Sequence, residues 1–361
     1  PPPPPPPPPP FFFYTHTPAT PMLRSLVGSE MCIRDRNDVI IEIKASGMCG
    51  SDLKFYRANS GPSSLGLGGD DKPVIAGHEP CGTIVEIGSN VSKNNFQIGA
   101  RVMQHHYEGC GTCSHCSTGW QQLCIDGVKV VFGVTGHGAH AKYMKCPAST
   151  LVHLRDEISF VAGAAISCGT GTAWGALERL DLRASQTIAI FGMGPVGLSA
   201  AMLANKMGSK VIAIDINKKR LERSIEFGAD ILINPNESND LLEEIKDLTK
   251  GTGVDASLEA SSSPEARSLA VKSVKTWGKV CFVGEGGDVT LDVSNDLLRR
   301  QVTLIGSWTF SKHGQAQCAD FVVDKKLNVD NLFTHTWSLN QAEEAYKIFD
   351  KQSDGKGVII P

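Results

Sequence analysis

Four cysteines, Cys110, Cys113, Cys116 and Cys124, lie within fifteen residues in the spacing Cys-x2-Cys-x2-Cys-x7-Cys. Thiols this close cannot be four independent core residues, and the spacing suits a closed, tetrahedral, all-thiolate zinc site. A pair of local disulfides is the competing reading. Zinc with four protein ligands keeps no open position, so its role would be structural, holding a long loop that lacks a core of its own. A second group, Gly192-Met193-Gly194-Pro195-Val196-Gly197, follows an apolar run and opens one rich in Ala and Leu. Gly192 would make the turn, Gly194 would let a pyrophosphate approach the backbone, and Gly197 would let helix and strand pack closely. Asp215, 23 residues after Gly192, can accept from both ribose hydroxyls and would repel a 2′-phosphate, which favours NAD over NADP. Lys218, Lys219 and Arg220 keep NADP open, although a solvated helix start explains them equally. Catalysis at a metal needs an open coordination position, and the candidates are Cys49, His78 and Cys168. Spacing alone does not bring these three together, and Cys168 taken singly reads as a small buried apolar residue.

The elements that must position these residues change in character along the chain. Val39–Ala45 alternates as a half-buried strand does, and short apolar runs follow at Gly82–Ile87, Arg101–Met103 and Ala139–Met144. This part reads as a β-rich domain with long loops. After Ser167 the rhythm becomes strand, helix, strand. Strands are predicted at Thr187–Phe191, Lys210–Asp215, Ile231–Ile233, Val254–Ala260, Val280–Gly284 and Val302–Gly306. Helices are predicted at Pro195–Met207, Lys218–Phe227, Leu241–Leu248 and Pro264–Val274. Six strands with helical crossovers are the pattern of a doubly wound parallel sheet. Beyond Ser311 two more helices are expected. Ser338 and Gln341 form a capping box for the second, which places Ala342, Ala345, Tyr346 and Phe349 on one face.

The chain has 361 residues, 41% hydrophobic, enough for about two domains. Lys and Arg number 35 against 38 Asp and Glu, net −3, which gives no broad electrostatic reason for a nucleic-acid or anionic-membrane partner. No apolar stretch approaches a membrane span. The 11 cysteines, sorted mostly into metal-like patterns, suit a reduced, cytoplasmic protein better than a secreted disulfide scaffold. Cys81, close after His78, reads as local packing, as do Cys146, Cys281 and Cys318.

The stretches GMCGSD (47–52), AGHEPCGTIVEIG (76–88), CGTCSHCSTGWQQLC (110–124) and FGMGPVG (191–197) followed by AIDIN carry a resemblance. From about Asn37 onward the chain resembles the zinc-dependent medium-chain dehydrogenases of the alcohol dehydrogenase superfamily. That resemblance implies an α/β architecture in which a GroES-like catalytic domain (37–167) precedes a six-stranded Rossmann domain (168–309), with a return to the catalytic domain over 310–361. It implies two zinc ions per chain, a catalytic one on Cys49, His78 and Cys168 with Glu79 as a nearby or alternating ligand, and a structural one on the four-cysteine loop. Asp52 would orient His78, and Ser51 would take the substrate's hydroxyl proton. Thr172 would touch the nicotinamide, and Val283 and Gly284 would border it. The implied reaction is hydride transfer between an alcohol, or its aldehyde or ketone in reverse, and NAD, in a homodimer or homotetramer.

A polyol, sorbitol-type or threonine-type dehydrogenase with the same zinc is the enzymatic alternative, and an inactive nucleotide-binding zinc protein lies further off. A zinc-free quinone reductase is disfavoured by Cys49, His78 and Cys168 together, and a zinc-finger reading by the lack of a basic helix after Cys124. The chain departs from the family at three places. Lys54 stands where many relatives complete a proton relay with histidine, and faces solvent in its bland reading. His105 and His106 stand where relatives place large apolar residues; on a loop they read as surface histidines, and turned inward they would make a polar pocket. Trp174 and Trp308 read either as site walls or as packing. Finally, Pro1–Pro10, Phe11–Phe13 and RSLVGSEMCIRDR (24–36) resemble translated homopolymer tracts and adaptor sequence, so residues 1 to about 36 are expected to be foreign or, alternatively, a disordered Pro-rich tail.

Overall fold

The computed structural model describes residues 36–57, 74–351 and 355–361; the expectations placed on residues 1–35 lie outside the described residues. The chain divides into two units, one built from residues up to Ser167 and from Phe333 onward, the other from Cys168 to Leu332.

In the first unit β1 (Asp38–Gly47) is followed by β2 (Glu79–Ile87), β3 (Arg101–Gln104), β4 (Tyr107–Glu108), β5 (Val130–Val131), β6 (Tyr143–Pro147) and β7 (Leu151–His153). The chain returns for β14 (Phe333–Ser338) and β15 (Lys356–Ile360). A seven-stranded sheet runs β14-β15-β1-β2-β3-β7, with β6 also on β1, while β4 and β5 pair separately. The alternation in β1 aims Val39, Ile41 and Ile43 at Ile84, Val102, Met144 and Leu151. A second cluster joins Met48 and Leu53 to Ala342, Ala345, Tyr346 and Ile359. The Ser338–Gln341 capping box is present, and it starts a short 3-10 turn that runs into the helix Ala342–Asp350.

The second unit holds β8 (Thr187–Phe191), β9 (Lys210–Ile214), β10 (Ile231–Ile233), β11 (Val254–Glu259), β12 (Val274–Phe282) and β13 (Thr303–Gly306). All six pair in parallel, in the order β10-β9-β8-β11-β12-β13. The chain winds outward from β8 to β10, then starts again at β11 on the other side. The carboxyl ends of β8 and β11 therefore frame the point at which the direction of winding reverses, where such sheets bind ligands.

β6 runs over Tyr143–Pro147 and not Ala139–Met144, β12 starts at Val274 and not Val280, and three larger features also differ from the sequence reading. The helices Phe160–Ile166 and Gly169–Leu180 carry the chain from one unit into the other, although their Gly-, Ala- and Thr-rich text has no clear apolar stripe. Strands β14 and β15 replace what reads as loop. The return begins at Phe333 and not at 310, because the helix Lys312–Asp324 stays with the second unit. There Cys318 is buried and Phe321 packs on Trp174, ring centroids 5.1 Å apart.

Candidate active site

β1 ends at Gly47, and the following turn presents Cys49 at the start of a short helix, Asp52–Arg57. The first carboxylate of that helix points back: Asp52 Oδ2 accepts from the Cys49 amide at 2.8 Å, and Oδ1 lies 2.7 Å from His78 Nδ1. A carboxylate can only accept, so Nδ1 carries a proton and His78 presents Nε2. Burial pushes His78 down, but Asp52 outweighs it and holds the imidazole well above its ordinary value. Ser51 Oγ lies 3.2 Å from Nε2 and donates to Cys49 Sγ at 3.3 Å.

Donor atoms of Cys49, His78, Glu79 and Cys168 all lie within 4.8 Å of one another. Cys168 follows Ser167 directly, and the Ser167 hydroxyl donates to Pro80 O at 3.0 Å, which ties this turn to the start of β2. Glu79 is fully buried. Lys356 Nζ lies 2.7 Å from each Glu79 carboxylate oxygen, donating to Oε1, and it also donates to Met48 O at 3.0 Å. Burial raises the Glu79 carboxyl to about 7 against the pull of Lys356. A tetrahedral zinc with sulfur and nitrogen ligands spaces its donors roughly 3.5–3.8 Å apart. Two thiols, an imidazole oriented by Asp52 and a buried carboxylate, with donor atoms within 4.8 Å of one another, fit such an ion after a small contraction.

Cys110, Cys113, Cys116 and Cys124 form a second cluster of the same size. The Cys113 amide donates to Cys110 Sγ at 3.3 Å, the Cys116 amide to Cys113 Sγ at 3.4 Å, and the Cys110 amide to Cys124 Sγ at 3.2 Å. Amides aimed at sulfur favour thiolates; the amides of Ile125 and Cys116 bring the Cys113 thiol down to about 6. The sulfurs of Cys110 and Cys116 stand 4.0 Å apart and all ten described cysteines are free thiols, so local disulfides are absent among the described residues. The donor set fits a closed, all-thiolate zinc.

His105 and His106 are buried, which corrects the surface reading. The His106 ring meets that of His78 in an edge-to-face contact with centroids 5.1 Å apart, and its Nδ1 lies 3.3 Å from Ser167 O. Burial, then the neighbouring His78 and His105, push His106 well below its ordinary value and keep it neutral. Lys54 is exposed, and Trp308 is 42% exposed.

In the second unit Gly192 has φ +94° and sits so close to Ser261 that a Cβ would lie 3.0 Å from its backbone nitrogen. A Cβ on Gly197 would meet Gly192 O at 1.8 Å, whereas Gly194, which caps the helix Pro195–Lys206, faces open space. An open cradle at a twelve-residue helix N-terminus fits a pyrophosphate. Asp215 takes the Met193 amide on Oδ2 at 2.6 Å and the Asn217 amide on Oδ1 at 2.7 Å, so it also braces the turn. Thr172 is buried on the helix Gly169–Leu180. The amides of Val283 and Gly284 both donate to Glu259 O, beyond the end of β12.

Residues 35–156 match the alcohol dehydrogenase GroES-like domain and residues 195–324 the zinc-binding dehydrogenase domain. An uncharacterized zinc-type alcohol dehydrogenase-like protein, YphC, of Escherichia coli (strain K12) is 37% identical, covering 90% of this chain and 91% of its own. A sorbitol dehydrogenase of Bacillus subtilis (strain 168) is 32% identical over 86% of each chain. Among solved structures, the alcohol dehydrogenase TADH from Thermus sp. ATN1 superposes with a TM-score of 0.81 at 26% identity, covering 90% of this chain and 92% of that one. The chain belongs to the zinc-dependent medium-chain dehydrogenase superfamily, with a GroES-like domain and a parallel six-stranded sheet.

Proposed function

We propose that the chain is an NAD-linked, zinc-dependent dehydrogenase of a hydroxyl-rich alcohol, a polyol in preference to a simple aliphatic one. The observation that carries the substrate class is the buried, neutral His106 packed edge-on against His78, beside the cluster of Cys49, Glu79 and Cys168. A polar ring at that place suits a substrate with a second hydroxyl.

Cys49, His78 and Cys168 hold the catalytic zinc in this reading, with Glu79 as an alternating ligand, and Cys110, Cys113, Cys116 and Cys124 hold a structural one. Zinc in the first cluster supplies Lewis acidity toward an alcohol or carbonyl oxygen. Asp52 orients His78, and Ser51 takes the substrate's hydroxyl proton and passes it toward solvent. Gly192, Gly194 and Gly197, with Pro195 and Val196, seat the dinucleotide pyrophosphate. Asp215 accepts from the ribose and disfavours a 2′-phosphate, and Thr172, Val283 and Gly284 border the nicotinamide. Free thiols throughout the described residues suit a reducing, cytoplasmic setting. A homodimer or homotetramer is expected on light scattering.

The test is a panel of simple alcohols, polyols and threonine with NAD and NADP on the zinc-loaded chain. A vicinal diol with NAD is expected to exceed any simple alcohol in kcat/KM by about tenfold, the discrimination one satisfied polar contact supplies. His106→Phe should erase that preference. A wild-type preference for simple apolar alcohols would refute the substrate class, and no turnover with two zincs bound would refute the enzyme.

A further inference from the structure

At the carboxyl end of β11, in the middle of the second unit's sheet, Glu259 and Arg267 form an ion pair with almost no solvent access. Their facing atoms, Glu259 Oε2 and Arg267 Nε, stand 3.5 Å apart and neither has a hydrogen bond of its own among the described residues. A desolvated pair so loosely joined is a weak source of stability. What the two side chains do with their remaining atoms is more specific. Glu259 Oε1 accepts from the amides of Ser261 and Ser262, at 2.5 and 2.7 Å, and from Ser261 Oγ at 2.6 Å. Arg267 spreads its guanidinium over the next loop, donating to Gly284 O at 2.7 Å, Gly286 O at 2.5 Å and Asp288 O at 3.3 Å.

The two loops are also pressed together. A Cβ on Gly284 would lie 2.5 Å from the Ser262 amide nitrogen, and one on Gly287 would lie 3.0 Å from Ser262 O. Ser261 in turn abuts the Gly192 turn. The loops leaving β8, β11 and β12 thus form one block at the reversal point of the sheet, and the buried pair is its cross-brace.

We propose that Glu259 and Arg267 are positioning residues that hold these three loops in the shape that receives the dinucleotide. The proposal rests on the NAD reading above. A fixed loop edge binds its ligand without a cost of ordering. An arginine is needed because only its planar fork reaches three carbonyls at once.

The experiment measures NADH binding by fluorescence and amide hydrogen exchange on the zinc-loaded full chain and on Glu259→Gln, Arg267→Met and Arg267→Lys. Each variant is expected to bind NADH about tenfold more weakly, the equivalent of one lost hydrogen bond. Amides of residues 261–263 and 283–287 should exchange faster while those of β8 and β9 do not. Lysine should fail to rescue, since a purely electrostatic role would be restored by its charge. Ser261→Ala, which removes one donor to Glu259, gives a smaller effect in the same direction and serves if the charge variants do not fold. Unchanged binding and exchange in the variants, with a wild type that binds, would overturn the positioning role alone. A wild type that binds neither NADH nor NADPH would overturn the dinucleotide reading and the purpose of the brace with it.

Discussion

Buried histidines decide much of the chemistry of the first unit, and they do so in different ways. His78 is oriented by its contact with Asp52, whereas His140 is held neutral by its surroundings. His140 Nδ1 lies 2.8 Å from Ser46 Oγ and Nε2 lies 3.0 Å from the Tyr346 hydroxyl. Burial lowers its pKa to about 4, with Asp52 opposing and His78 assisting. Its folded value lies below that of the unfolded chain, so between the two the unfolded state binds more protons and stability rises with pH. Stability is therefore lost as pH falls from about 6.5 toward 4, by roughly 3 kcal/mol over the whole span. Urea unfolding across that range should show a shallower dependence in His140→Gln; parallel curves would refute the assignment. Cys49, His78 and Cys168 were legible as chemistry-bearing types in the sequence, but their convergence was legible only through the family resemblance and not from spacing, since it depends on Asp52 folding back and on Ser167 bonding to Pro80 O. His106 was misjudged because a polar pair on a loop carries no signal of burial. Glu259 and Arg267 carry no signal in the sequence, their meeting being set by tertiary contact and by no spacing.

At the scale of the element, β12 contains an irregularity. Val254 pairs with Val274 but Ala256 with Lys279, so residues 275–278 bulge out of the ladder. The bulge puts Trp277 at φ +60°, 73% exposed, with its indole nitrogen 3.4 Å from Gln301 Oε1. A left-handed conformation costs a residue with a side chain about 1–2 kcal/mol, of which glycine's greater unfolded freedom cancels up to about 1. Trp277→Gly is therefore expected to stabilise the second unit by roughly 0.5–1 kcal/mol. Thermal denaturation checks this, and a destabilised variant would mean that the indole packs more usefully than its exposure implies. β8, β9 and β10 were readable because each is a short, largely apolar run stopped by Gly192, Asp215 or Asn234, as buried parallel strands are. β14 was not: its residues alternate between half-buried and exposed at a sheet edge, and Thr334, Thr336 and Ser338 give it the look of a loop. The four-cysteine loop was fully legible, since local spacing alone makes that cluster.

At the scale of the whole molecule, the two thiolate clusters differ in what their loss does. The four-cysteine loop has little apolar core, with only Cys116 buried on its short helix Ser114–Ser117. The other cluster sits among residues already fixed by hydrogen bonds and by the Met48–Tyr346 packing. Metal analysis is expected to return two zincs per chain. A graded chelator should remove the one on Cys49, His78 and Cys168 first, abolishing turnover with little change in the circular dichroism. Removal of the second should loosen the loop and raise thiol reactivity at Cys110 to Cys124. A single zinc, or simultaneous loss of both with global unfolding, would contradict this order.

The placement of β15 bears on how the polypeptide is made. β15 lies between β14 and β1 in the first unit's sheet and carries Lys356, the buried partner of Glu79. On the ribosome, every residue of the second unit is synthesised before Lys356 exists. The parallel sheet can therefore close while the first unit still waits with β1 short of its β15 partner at Ser46 and Gly47 and Glu79 without its cation. The unit that carries Cys49, His78 and Glu79 is the last to be finished, and the end of β1 that waits for β15 is where a nascent chain would be most open to mispairing or to a chaperone.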